Sequence, residues 1–148
     1  MSSLSLINVV FDSNIVIDAL RPNHLFAMNA KRVFDLVKDD LIAPFICANS
    51  LTDIYYVLRK VQGNEKAKDT ISSLLRIFDI IPLTEEDCVK ALTLPMNDFE
   101  DAIIAVCAKK VNADYIVTRD EDFIKAKTGV NVVTSEDLVR GVGYNPES

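Results

Sequence analysis

Residues 97–123 read NDFEDAIIAVCAKKVNADYIVTRDEDF: an acid-headed helix, an apolar strand, then a second acidic cluster. Phe99, Ile103, Val106, Cys107 and Lys110 recur at the three-to-four spacing of one buried helical face, and Ala102, Ala105 and Ala108 let a neighbour come close. Asp98 and Asp101 share the first turn. Like charges three apart on a helix repel, so the pair carries a cost that the helix dipole or a bound cation offsets. Tyr115 to Thr118 is predicted as a strand, with Arg119-Asp120-Glu121-Asp122 at its carboxyl end, where an open parallel sheet places its ligands. Both acidic groups are expected to face one crevice and to form half of a metal site.

The rest of the chain supplies the layers around this stretch. Ile7 to Phe11 is an apolar run broken only by Asn8, the pattern of a strand buried on both faces, and Asp12-Ser13-Asn14 follows it. A short helix over Ile15 to Leu20 stops at Arg21-Pro22-Asn23, and Leu25 to Lys38 carries Phe26, Ala30, Val33, Phe34 and Val37 on one face. Leu41 to Ile46 is a second strand, which Pro44 demotes towards an edge or a kink. Asn49-Ser50-Leu51-Thr52-Asp53 is expected to cap the next helix, with a stripe of Leu51, Ile54, Tyr55, Leu58 and Val61 that ends at Gly63-Asn64. Glu65 to Ile77 is a helix, Asp79 to Leu83 a strand, and Thr84 to Leu92 a helix opened by Thr84. After Phe123 come a helical turn, a strand at Val130 to Val133 and a helix capped by Thr134 or Ser135. Strands alternating with helices imply α/β architecture: three α/β/α layers around a central, mainly parallel sheet of four to five strands.

The whole chain, residues 1–148, has the length of one domain, able to bury roughly two thirds of its unfolded surface. Residues 141–148 read as a loose tail. Cys47, Cys88 and Cys107 have neither disulfide nor metal-ligand spacing and read as reduced core residues. The amino terminus has no signal-peptide pattern and no apolar run approaches the ~20 residues of a membrane span, so a cytoplasmic protein without membrane contact is expected. A net charge of −6 argues against a broad electrostatic grip on nucleic acid. Lys109 and Lys110 read as solvated. His24, the single histidine, sits beside a breaker and reads as an exposed loop residue; no Gly-rich phosphate loop is present.

Taken singly, each acid has a bland explanation, because Asp at strand ends and in first helical turns is what capping favours. Taken together they are harder to dismiss. A parallel sheet brings Asp12, Asp53, Asp98, Asp101, Asp120 and Asp122 to the same side, where ionised carboxylates repel unless a divalent cation joins them. Hard oxygen ligands select Mg²⁺ or Mn²⁺, which suggests phosphoryl chemistry with metal-activated water.

A strand ending in Asp12-Ser13-Asn14, Asp53 early in the helix after the second strand, Asp-Phe-Glu-Asp-Ala at 98–102 and Ile-Val-Thr-Arg-Asp-Glu-Asp-Phe at 116–123 together resemble a PIN domain, over roughly Asn8 to Leu138. The resemblance implies a Mg²⁺- or Mn²⁺-dependent endoribonuclease, often a toxin held inactive by an antitoxin protein. It implies Asp12 and Asp101 as principal metal ligands, with Asp98 additional and Asp120 or Asp122 as the fourth acid. Asp53 falls where many members have Glu. Asn14 and Thr118 match polar positions that orient the site, Ser13 is placed to bond a carboxylate or phosphate, and Arg119 is placed to attract phosphate. RNA, an antitoxin and a second copy of the chain are the implied partners. Two other readings use the same residues: a weakly catalytic module that binds RNA or protein, and a metal-dependent phosphatase.

Overall fold

The computed structural model describes residues 6–21 and 25–142. His24 and residues 143–148 lie outside them. The elements run β1 (Ile7–Phe11), α1 (Ser13–Leu20), α2 (Ala27–Lys38), β2 (Ile42–Cys47), α3 (Ala48–Gln62), α4 (Asn64–Ile77), β3 (Asp79–Ile81), α5 (Glu85–Ala91), α6 (Phe99–Lys110), β4 (Tyr115–Val117), α7 (Glu121–Lys125), β5 (Asn131–Val133) and α8 (Ser135–Gly141). All strand pairs are parallel, in the order β3-β2-β1-β4-β5. The expected three layers are present, and the sheet has five strands where four to five were expected. Gly141, expected in the tail, belongs to α8.

Strand β1 shows why there are three layers. Successive side chains of a strand point to opposite faces, and here Val9 and Phe11 enter one apolar cluster while Val10 enters another. The first cluster is closed by residues of α1, α2, α3, α4 and α8, and holds Phe11, Phe34 and Phe78 in edge-to-face contacts with centroids 4.9 to 5.9 Å apart. The second is closed by α5, α6 and Phe123 of α7.

Three expectations need correction. Helix α6 is not one-faced: residues 101–108 are all buried, while Phe99 is 46% exposed. The helix lies in the second cluster with α5 against it, so its alanines and isoleucines meet neighbours on every side. Pro44 is not at an edge, because β2 is internal; β3 begins opposite Phe45, so at Pro44 the strand is paired only with Val9 of β1, where a missing donor is tolerated. Helix α3 starts at Ala48, directly after β2, with Cys47 as a cap that offers no side-chain bond. Asn49 and Ser50 therefore lie inside the helix rather than capping it. Gly63 closes α3 as expected, at a positive φ of 85° that favours glycine.

The chain passes from β1 to β2 on one side and returns to β4 on the other. In such a sheet the order reverses between β1 and β4, and the crevice beyond their carboxyl ends is where ligands bind. Asp12 follows β1 directly, and Thr118 follows β4.

Candidate metal centre

Each acid reaches the crevice by a local rule. Asp12 caps α1, its Oδ1 accepting the Ser13 N–H at 2.8 Å. Asp98 caps α6 by accepting the Asp101 N–H at 3.0 Å, and Asp120 caps α7 by accepting the Asp122 N–H at 3.0 Å. Capping thus explains why Asp stands at these positions, but not why Asp12 and Asp101 are only 6% and 8% exposed.

Thr118, fully buried, ties the strand ends together. Its Oγ1 donates to Asp12 Oδ2 at 2.8 Å and accepts the Asp120 N–H at 3.1 Å. Asn14 Nδ2 lies 3.2 Å from Thr118 Oγ1 and 3.4 Å from Asp12 Oδ2, and Asn14 Oδ1 accepts the Arg119 N–H at 3.4 Å. One hydroxyl and one amide therefore fix the orientation of the Asp12 carboxylate, as outer partners do in metal sites. Ser13 contributes its backbone N–H to the same carboxylate.

The carboxylates act strongly on one another. Burial raises the Asp12 carboxyl above its ordinary value against the opposing hydrogen bonds of Thr118 and Ser13, and the charges of Asp120 and Asp53 add to the rise. Asp101 is pushed up to about 7, by burial first and then by the charges of Asp98, Asp12, Asp120 and Glu100. Glu100 is also pushed up to about 7, by burial, by a hydrogen bond with Asp53, and by the charges of Asp53, Asp12 and Asp98. Burial and neighbouring charge make ionisation of Asp12, Glu100 and Asp101 costly, and a cation in the crevice would offset that cost. A cleft of about 520 Å³ opens over Asp98, Asp101, Asp120 and Asp122, with Pro95, Met96 and Asn97 on its wall and Lys125 as its basic member.

Residues 8–122 match the sequence profile of the PIN domain. The chain belongs to the PIN-domain family. This PIN domain is 30% identical over 138 residues to Ribonuclease VapC1 of Aquifex aeolicus (strain VF5), covering 88% of this chain and 92% of that protein. Its fold is similar to that of VapBC2 from Rickettsia felis, solved bound to a DNA fragment from their promoter (TM-score 0.65, 18% identity, 86% of this chain and 98% of that chain). It is also similar to that of VapC20 from Mycobacterium tuberculosis, a sarcin-ricin loop cleaving toxin (TM-score 0.64, 15% identity, 78% and 92%). PIN and VapC nucleases depend on a divalent metal in general. No helix among the described residues is long and apolar enough to cross a membrane.

The donor set of this PIN domain fits a hard divalent cation, since it is built of carboxylate oxygen. Among the described residues no group of three or more His, Cys, Asp or Glu side chains is drawn together closely enough to hold a metal ion. The structure brings Asp12, Asp98, Asp101 and Asp120 into mutual influence, and Asp53 acts on Asp12. Asp122 lines the cleft beside Asp120.

Arg119 has partners that its place beside the acidic cluster did not suggest. Its Nε donates to Asp18 Oδ2 at 2.6 Å and its Nη2 to Asp18 Oδ1 at 3.3 Å, while its guanidinium stacks 4.6 Å from the Phe26 ring centroid. Asp18 is 1% exposed, so this cation neutralises a buried charge. Lys110 likewise is not simply solvated: its Nζ donates to Asp87 Oδ2 at 2.6 Å and to the Pro82 carbonyl at 2.8 Å. Sequence reasoning passed over Asp18 and Glu100. No local signal marks Asp18, whose partner is 101 residues away; Glu100 lies between two suspected acids, and that adjacency was its only mark.

Proposed function

We propose that this chain is a Mg²⁺- or Mn²⁺-dependent endoribonuclease of the VapC type, hydrolysing RNA phosphodiesters as the toxin of a toxin–antitoxin pair. The observation that carries this is the approach of buried Asp12 and Asp101 at the sheet's switch point in a PIN domain 30% identical to Ribonuclease VapC1 of Aquifex aeolicus. Asp12 and Asp101 would hold the ion, with Asp98 beside them. Asp120 is the fourth acid in this reading, because its charge acts on both principal ligands. When bound, the ion lowers the pKa of its water and compensates charge on the scissile phosphate. Thr118 and Asn14 hold the Asp12 carboxylate in one orientation, and the caps at Asp98 and Asp120 fix the first turns that carry the other acids.

With Arg119 committed to Asp18, Lys125 is the cleft cation that meets the RNA backbone. A net charge of −6 then makes substrate binding weak and salt-sensitive. That similar folds come from structures described as VapBC and as a toxin–antitoxin complex supports an antitoxin partner for this chain too; a homodimer joining two half-grooves completes the reading.

The test is incubation with fluorescent single-stranded RNA and Mn²⁺, with and without chelator, beside Asp12→Asn. Cleavage that needs both metal and Asp12 supports the reading. Tight Mn²⁺ binding without cleavage of an RNA panel would replace it with a binding module, and turnover of a chromogenic phosphomonoester with indifference to RNA would replace it with a phosphatase.

A further inference from the structure

We propose that the cavity across α7 from the metal cleft is a base subsite, in which one nucleobase of the RNA stacks on the Arg119 guanidinium. The inference rests on the ribonuclease reading above and adds to it a part of the substrate that the acids cannot hold. Helix α7 divides the two spaces. Asp120, Asp122 and Lys125 line the metal cleft, whereas Arg119, Glu121 and Ile124 line a second cavity of about 270 Å³, whose other walls include Ile15, Phe26 and Glu136. Sites for drug-sized ligands run to roughly 300–1,000 Å³, so this one has room for a single base and not for a strand. Arg119 stands one residue from Asp120, and Asn14, which accepts its backbone N–H, also donates to Thr118. A base in the cavity and a phosphate over the acids would therefore belong to the same short stretch of RNA.

The walls suit a base and not a phosphate. The guanidinium is held as a fixed plane: Nε and Nη2 grip the two oxygens of Asp18, and the Phe26 ring centroid lies 4.6 Å from its carbon. Even so, the Arg119 side chain is 41% exposed and Phe26 38% exposed. The stack of ring and guanidinium thus ends at an accessible surface, and splayed RNA bases stack on aromatic rings and on arginine planes. The charge is wrong for phosphate, because Asp18 already neutralises Arg119, and Glu121 and Glu136 leave the lining net negative. An uncharged base meets no such repulsion, and Ile15 and Ile124 supply apolar wall for its ring.

The test is Mn²⁺-dependent cleavage of labelled single-stranded RNAs in which one base at a time, around the cleaved bond, is replaced by an abasic sugar. For the parent, one position should lose about fivefold or more in kcat/KM, the scale of one stacked base. Arg119→Lys keeps a cation for Asp18 but lacks the plane, and Phe26→Leu keeps apolar bulk but lacks the ring. In each, the penalty at that position should shrink to about twofold or less, and melting curves should show both variants folded. A penalty equal in parent and variants, or no position that carries one, overturns the proposal and leaves the cavity to a protein partner or to packing. If no RNA is cleaved, the ribonuclease reading itself fails, and fluorescence anisotropy in chelator, with oligoadenylate against an abasic chain of the same length, decides the subsite. A preference of the parent for the chain with bases that both variants lose supports it; absence or persistence of that preference overturns it.

Discussion

Replacing Asp101 by Asn removes a carboxylate that burial and the charges of Asp98, Asp12, Asp120 and Glu100 all oppose. Its carboxyl titrates near an ordinary 3.8 in the unfolded chain and is pushed up to about 7 in the fold. Between those values the folded protein keeps a proton that the unfolded chain has released, so stability falls as pH rises through that window and is level above it. Asp101 is only 8% exposed, so solvent screens little of this. At roughly 1.4 kcal/mol per pH unit, the interval amounts to about 4 kcal/mol at most. In chelator, Asp101→Asn and the parent should be about equally stable near pH 4. Near pH 8 the variant should be the more stable by about 2–4 kcal/mol, the upper end being the full interval. The comparison cancels every other titrating group that the substitution leaves alone. The assay is urea unfolding followed by circular dichroism at the two pH values. Mn²⁺ should then reverse the order, stabilising the parent by mass action while leaving the variant, which has also lost RNA cleavage, nearly unchanged. A variant less stable than the parent near pH 8, or a difference that ignores pH, would refute the reasoning.

Thr118→Val keeps the shape of a fully buried side chain but removes the hydroxyl shared by Asp12, Asn14 and the Asp120 N–H. It should lower Mn²⁺ affinity by about tenfold in calorimetry, because the Asp12 carboxylate loses its orienting donor. Lys110→Met leaves Asp87, 4% exposed, without its cation and should cost about 2 kcal/mol in urea unfolding at neutral pH. The Lys110 hydrogen bond holds the Asp87 carboxyl below its ordinary value, so its contribution is present above the unfolded value of 3.8 and lost as pH falls; the difference between parent and variant should shrink in acid.

Much of this protein was legible along the chain. The capping box joining Thr84 and Asp87 is written in residues three apart, and the structure shows both of its bonds. Strands separated by helices dictated a parallel sheet, and with it a common edge for Asp12, Asp53, Asp101 and Asp120. These features depend on contacts spanning a few residues, or on which end of an element a residue occupies, and such rules need no knowledge of neighbours.

Other features were decided only when the layers met. Asn49 looked like a cap until β2 ran straight into α3 and buried its oxygen without a partner. The pairing of Arg119 with Asp18, 101 residues earlier, has no counterpart along the chain. Thr118 gained its place only by facing Asp12 across 106 residues. The sequence by itself determined the kinds of residue and the edge to which they come; tertiary structure decided which charges neutralise one another and which remain for a ligand. The physical reason is that electrostatic and hydrogen-bond energies depend on distance and burial in three dimensions, and neither is defined until the two faces of the sheet are covered.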